Sequence, residues 1–316
     1  MKPFNLLILL LLKTLFVNGS MPGNTTIVET DITLQTSKGK IFGTLTIPVK
    51  QGGMPVVLII AGSGPTDRDG NNPVMKNNSL KILASELSKN GIASLRYDKR
   101  GIAASKAAVT NEIELRFEDY VSDAMGWIQL LKKDERFSEV IVIGHSEGSL
   151  IGMVAGTSAD KFISIAGFGQ SADLILKDQL GSQPKEVKDL SFPIIDSLKN
   201  GNTVKNVPPI LNLLFRPSVQ PYLISWFRYD PRIEIKKLSV PALIVQGTND
   251  IQVGVENARQ LSNANPKAEL LLINDMNHIF RITEGDRLTN IATYNNINLP
   301  VSEELVEAVT GFIIRD

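Results

Sequence analysis

The chain contains no cysteine. That absence removes disulfides, a thiol nucleophile, a lipidated N-terminal cysteine and thiolate metal sites. Histidine is almost as scarce: there are two, His145 and His278. Two are too few for a His-rich metal centre, so no metal or other cofactor is expected. Charge of one sign is also missing, because 33 basic residues offset 33 acidic ones. No basic block stands out, so nucleic acid binding has no electrostatic footprint. The longest apolar run, Phe4 to Val17, has 14 residues and is interrupted by Lys13. A membrane-spanning helix needs about 20. With Lys2 before it and Val17-Asn18-Gly19 after it, the segment 1–20 reads as a cleaved secretory signal. A secreted or periplasmic protein with no stable membrane insertion is then expected. An uncleaved anchor and a cytoplasmic protein are the alternatives. What remains is 43% hydrophobic and 21% charged, a balance suited to one large α/β domain with an insertion or to two small domains.

The most informative stretch is Val140 to Gly156, VIVIGHSEGSLIGMVAG. Val140 to Ile143 is a short, fully apolar, β-branched run, as in a buried parallel strand. Gly144-His145-Ser146-Glu147-Gly148 follows and matches G-x-S-x-G. Leu150, Ile151, Met153 and Val154 then recur at helical spacing. Ser146 is therefore expected on a tight strand-to-helix turn that holds its hydroxyl out above the sheet edge. The alternative is a glycine-rich turn with an ordinary serine.

A serine hydroxyl needs a base to become a nucleophile. His145 adjoins Ser146, and its ring should point away from that hydroxyl. His278 remains, in a loop directly after the apolar run Leu270 to Ile273. It is expected on the same rim of the sheet as the serine. The base in turn needs an acid to fix its tautomer. Asp250 ends another apolar run and a Gly-rich turn, and is preferred. Asp275, three residues before His278, is the rival. The chain order Ser146, Asp250, His278 is that of α/β-hydrolases.

On these residues the sequence resembles the α/β-hydrolase superfamily, and within it bacterial esterases grouped with the serine aminopeptidase-like hydrolases. Besides the elbow, the resemblance rests on Gly62 to Asn71 (GSGPTDRDGN), Arg96 to Gly101 (RYDKRG), Gly247 to Asp250 (GTND) and Asn277-His278. It implies a mostly parallel sheet flanked by helices, and a serine esterase with an oxyanion hole. Its two backbone donors would be the N–H groups of Ser63 and Glu147. Alanine stands at 61, where many relatives carry histidine; a main-chain donor tolerates that. Asp98 and Arg100 fall in a D-x-R-G turn and read as a buried structural pair. The second glycine usual after that turn is missing here. The loop Asp67-Arg68-Asp69-Gly70-Asn71 reads as salt-bridged and structural, with substrate contact the alternative.

The rest of the chain completes the pattern. Ile27 to Thr36 and Lys40 to Val49 read as an edge hairpin. Pro55 to Ile60, Ala93 to Tyr97, Phe162 to Ala166, Pro241 to Gln246 and Leu270 to Ile273 read as strands. Ser79 to Asn90, Phe117 to Leu131, Val253 to Leu261 and Val301 to Ile314 read as helices. The core is thus expected over 24–170 and 233–316. Between them, 171–232 shows helical apolar spacing broken by prolines. It reads as a helical cap over the active-site mouth, its aromatics Tyr222, Trp226, Phe227 and Tyr229 clustered near its end, with Trp226 and Phe227 against a small-molecule ester. The alternative is that these aromatics are core of the insertion. A peptidase, an amidase or an acyltransferase would use the same three side chains. A non-catalytic binding protein on this fold is the remote alternative. Oligomeric state is not legible.

Overall fold

The computed structural model describes residues 26–50 and 52–315; the expected signal segment 1–20 lies outside them. Eight strands form one sheet in the order β1-β2-β4-β3-β5-β6-β7-β8. They are β1 Ile27–Thr36, β2 Gly39–Pro48, β3 Met54–Ile60, β4 Ala93–Tyr97, β5 Phe137–His145, β6 Lys161–Ile165, β7 Ala242–Gly247 and β8 Glu269–Ile273. The first hairpin pairs antiparallel with itself and with β4. The other pairings are parallel.

The helices are α1 Ser79–Lys89, α2 Phe117–Lys132, α3 Glu147–Ala155, α4 Ala172–Gly181, α5 Lys185–Lys199, α6 Asn212–Phe215, α7 Gln220–Trp226, α8 Pro231–Lys237, α9 Val255–Ala264, α10 Arg287–Ala292 and α11 Glu303–Ile314. They explain why the central strands are apolar throughout rather than alternating. Successive side chains of a strand point to opposite faces, and here both faces are covered. Val56, Leu58 and Ile60 of β3 join Val140 and Val142 of β5 in one core, with Phe117, Trp127 and Leu150. Val57, Ile59, Ile141 and Ile143 join a second core, with Leu83 and Leu87 of α1 and Leu305 and Val309 of α11.

The chain runs from β3 outward to β4, then returns to place β5 on the other side of β3. Connections leave the carboxyl ends of β3 and β5 in opposite directions, and a crevice opens between them. Open α/β sheets bind ligands at such switch points. The loop beginning at Ala61 and the Ser146 turn both start there.

Between β6 and β7 the chain forms α4 to α8. This segment packs along the helices of the first core. Ser225 accepts a hydrogen bond from the Phe117 N–H of α2, and Phe215, Trp226 and Phe227 are buried. One expectation for the neighbouring turn is corrected. Asp98 and Arg100 are both buried but do not pair with each other. Asp98 accepts from Arg68 at 2.8 Å, and Arg100 grips both carboxylate oxygens of Asp123. Both lie in the turn beyond β4, where strand geometry no longer aligns side chains two residues apart. Each meets a different element: Arg68 in the loop after β3 and Asp123 on α2. Among the described residues no helix is long and apolar enough to cross a membrane.

Candidate active site

The Ser146 turn is built by steric necessity. A side chain at Gly144 would put its Cβ 2.3 Å from the Gly148 carbonyl oxygen, and one at Gly148 would sit 2.2 Å from the Ile60 oxygen. Both are impossible contacts, so only glycine lets β5, α3 and β3 approach this closely. Ser146 itself has φ 55° and ψ −120°. A non-glycine residue held there is strained, and such strain persists only where the surroundings over-determine it. Here the Ser146 N–H is fixed by the Ile165 carbonyl of β6 at 3.0 Å.

Ser146 and His278 line one cleft of about 270 Å³ between the switch-point loops. His278 follows β8 in a loop tied down by Asn277. The Asn277 side-chain oxygen accepts from the N–H groups of Ile279 and Arg281, and its amide donates to Thr293. His278 Nδ1 lies 2.7 Å from Asp250 Oδ2. That arrangement turns Nε2 free to exchange a proton in the cleft. Among the described residues no hydrogen bond joins Ser146 Oγ to the ring, a contact that commonly tightens only with substrate present.

Asp250 has four donors around it. The Gln252 and Val253 N–H groups reach Oδ1, and Gln246 and His278 reach Oδ2. Burial by itself would raise its carboxyl; the His278 ring and these donors outweigh that and hold it below the ordinary range. The rival Asp275 is exposed. Its backbone has φ 56°, and its N–H is held by Thr248. It makes no bond to His278.

His145 also touches the cleft. Its Nε2 donates to the His278 carbonyl at 2.9 Å, so the ring braces the histidine loop. Burial, and then the neighbouring His278 ring, push its pKa down to about 3. It is neutral at any ordinary pH.

Ser63 lies just after β3 and Glu147 just after β5, at the starts of the two switch-point connections. Ser63 lines the cleft, and its N–H makes no hydrogen bond among the described residues. The Glu147 N–H is the first of α3, one of the amides a helix leaves without an internal acceptor.

Trp226 and Phe227 require a correction. Neither lines the cleft. They are 5% and 1% exposed, and Trp226 packs against Phe168, Tyr222 and Phe227. The aromatic cluster fills the core between the inserted helices and the sheet, so these are packing residues rather than substrate contacts. The cleft wall comes instead from Pro65, Thr66, Asn72, Asn77, Gln252 and Ile279. Pro65 and Thr66 fall in the Gly62 to Asn71 stretch, whereas Asn72, Asn77, Gln252 and Ile279 carry no periodicity and no motif, and only the folded switch point reveals them.

The contacts of three buried residues, Gln246, Lys99 and Tyr222, are visible only in the fold. Gln246 supports Asp250. Lys99 bonds the Glu147 carboxylate and the Gly62 carbonyl, both at 2.6 Å. Tyr222 donates to the other Glu147 oxygen. The flanking Asp98 and Arg100 drew attention in the sequence, and nothing there distinguishes Lys99 from a surface lysine.

Comparison with known proteins agrees with this architecture. The family model described as serine aminopeptidase, S33, matches residues 77–206. Esterase EstD of Thermotoga maritima is 30% identical over 271 residues, which is 81% of this chain and 61% of that protein. The chain thus spans about three fifths of the length of that relative. Among solved structures, Est1E from Butyrivibrio proteoclasticus superposes with a TM-score of 0.58 at 16% identity, over 90% of this chain and 99% of the other. The Pyrococcus furiosus esterase Pf2001 gives a TM-score of 0.56 at 17% identity, over 94% of each. By its sheet order and these structural likenesses, the chain has the α/β-hydrolase fold.

Proposed function

We propose that the protein is a serine hydrolase that cleaves carboxylic esters through an acyl-enzyme on Ser146. The observation that carries this reading is the strained Ser146 turn opening on the same cleft as a histidine whose far nitrogen is anchored on a buried aspartate. His278 Nε2 takes the Ser146 proton as Oγ attacks the ester carbonyl. The N–H groups of Ser63 and Glu147 receive the oxyanion. The C–O bond to the alcohol breaks, and the alcohol leaves with the proton from His278. Water enters, gives a proton to His278 and attacks the acyl carbonyl; Ser146 leaves with that proton and the acid is released.

The same side chains serve amide hydrolysis, and the serine aminopeptidase model makes a peptidase the natural second reading. An aminopeptidase must hold a substrate ammonium. No aspartate or glutamate is among the residues lining this cleft, which favours the ester. The small size of the cleft, about 270 Å³, favours short acyl groups. The test is turnover of a p-nitrophenyl ester series from acetate upward beside an aminoacyl-anilide, with fluorophosphonate labelling of Ser146. Ester turnover falling with chain length, with little anilide turnover, supports the reading. Faster anilide turnover overturns it.

A further inference from the structure

Lys99 is 1% exposed, in the turn after β4. An ammonium has three donors and is costly to bury unless all are used. Here each has a destination: the Gly62 carbonyl at 2.6 Å, Glu147 Oε2 at 2.6 Å, and the face of the Tyr120 ring, 5.0 Å from its centroid. Glu147 is as deeply buried and uses both oxygens, one on Lys99 and one on the Tyr222 hydroxyl.

The two groups that Lys99 holds are not arbitrary. Gly62 O and the Ser63 N–H belong to the same peptide unit. In a planar trans peptide, carbonyl and N–H point in opposite directions, and the described residues contain no cis peptide. Pinning the Gly62 oxygen inward therefore turns the Ser63 N–H outward, to the cleft that Gly62, Ser63 and Ser146 line. A cation on the oxygen also polarises the peptide and strengthens its N–H as a donor. The other end of the ion pair is the side chain of Glu147, whose own N–H is the second donor.

We propose that Lys99 is the positioning residue of the oxyanion hole. It fixes the Gly62–Ser63 peptide plane and clamps it to the residue that carries the second donor. This rests on the reading of Ser63 and Glu147 as those donors. It gives the Glu147 carboxylate a purpose: counterion and anchor for Lys99.

The test is Lys99→Met combined with Glu147→Gln, which removes both buried charges and keeps a partner for Tyr222. Losing one oxyanion donor outright costs about a hundred- to a thousandfold in kcat. Losing its orientation should cost about ten- to a hundredfold, with KM changed little. Affinity for a trifluoromethyl ketone, which adds Ser146 and forms an oxyanion, should fall by the same factor. Affinity for the matching methyl ketone, which stays a ground-state ligand, should not. Unchanged kcat, unchanged trifluoromethyl ketone affinity, or equal losses for both ketones would each overturn the proposal.

If the double variant does not fold, Lys99→Cys supplies the second arm. The native chain has no cysteine, so this thiol can be alkylated alone in the unfolded chain before refolding. Aminoethylation rebuilds a lysine-like ammonium and should restore turnover, whereas the refolded propyl thioether should stay impaired. Equal turnover of the two products overturns the proposal, and so does failure of the aminoethylated chain to regain turnover. Ser146→Ala, assayed beside them, separates the two levels. Turnover surviving there overturns the hydrolase reading and this proposal with it. Turnover lost there but kept without the Lys99 ammonium overturns this proposal alone.

Discussion

The switch-point loops and the inserted helices α4 to α8 differ in almost every respect. The loops are polar, irregular and glycine-bearing, and they form the cleft wall. The insertion is helical and carries the aromatic cluster Tyr222, Trp226 and Phe227, yet none of its residues lines that wall. Its contact with the proposed chemistry is indirect. Tyr222 reaches Glu147 from α7, and Gln179 of α4 touches the Gln252 carbonyl. Aromatic content therefore marks where area is buried, which is as true of an internal core as of a substrate mouth. The side chains that meet a ligand are set by loop geometry.

The comparison breaks most sharply if chemistry survives damage to the loops. Ser146→Ala should lower kcat by about a million-fold, as for other groups acting as a unit, and abolish fluorophosphonate labelling. Labelling that persists would put the nucleophile elsewhere.

Asp250→Asn should follow, at about 10⁴-fold in kcat. The amide would set an NH₂ against donors that now converge on both oxygens, or else present the wrong atom to His278. Asp275→Asn, exposed and unbonded to the ring, should cost far less. Steady-state kinetics of the two variants side by side checks the order.

For the insertion the expected damage is to the fold. Trp226→Ala or Phe227→Ala removes a nearly fully buried aromatic and should cost about 3–5 kcal/mol of stability. Because neither ring meets the cleft, kcat/KM per folded molecule should change by the same factor for p-nitrophenyl acetate and for a bulky ester. Urea unfolding and the two-substrate assay check both halves. A selective loss on the bulky ester would bring these rings back to the substrate.

What the sequence carried well was periodic or punctuated. Apolar runs between turn residues located six of the strands, alternation located the two of the edge hairpin, and G-x-S-x-G located the elbow, because each leaves a local trace. Asp250 was separable from Asp275 because it ends a strand of its own. The failures are of one kind. Asp98 was matched with its near neighbour Arg100, but its partner Arg68 lies 30 residues away along the chain. Trp226 and Phe227 were assigned outward although they face inward, because period and composition do not reveal which side of a layer is occupied. Lys99 passed unnoticed because its partners, Gly62 and Glu147, are 37 and 48 residues away. Pairings across the sheet exist only once strand order is known.

The smallest effect concerns His145, the histidine that supports rather than reacts. Its pKa is about 3 in the fold because burial and the His278 ring oppose its charge. In the unfolded chain it returns to about 6.5. Between those values the unfolded state binds a proton that the folded state refuses. Stability therefore rises with pH across that window and falls as pH drops from about 6.5 toward 3. Asp250, held below its ordinary range, acts in the same direction but at lower pH. It contributes fully above its unfolded value of about 3.9 and loses that contribution as pH falls through its folded one. From pH 7 to 5 the His145 share should be about 2 kcal/mol. His145→Gln keeps an N–H near the Nε2 position for the His278 carbonyl and has nothing to titrate. Urea unfolding at pH 7 and 5 should show the variant losing about 2 kcal/mol less than the native protein over that interval. Parallel losses in the two proteins would mean that His145 takes up its proton in the folded state as readily as in the unfolded chain.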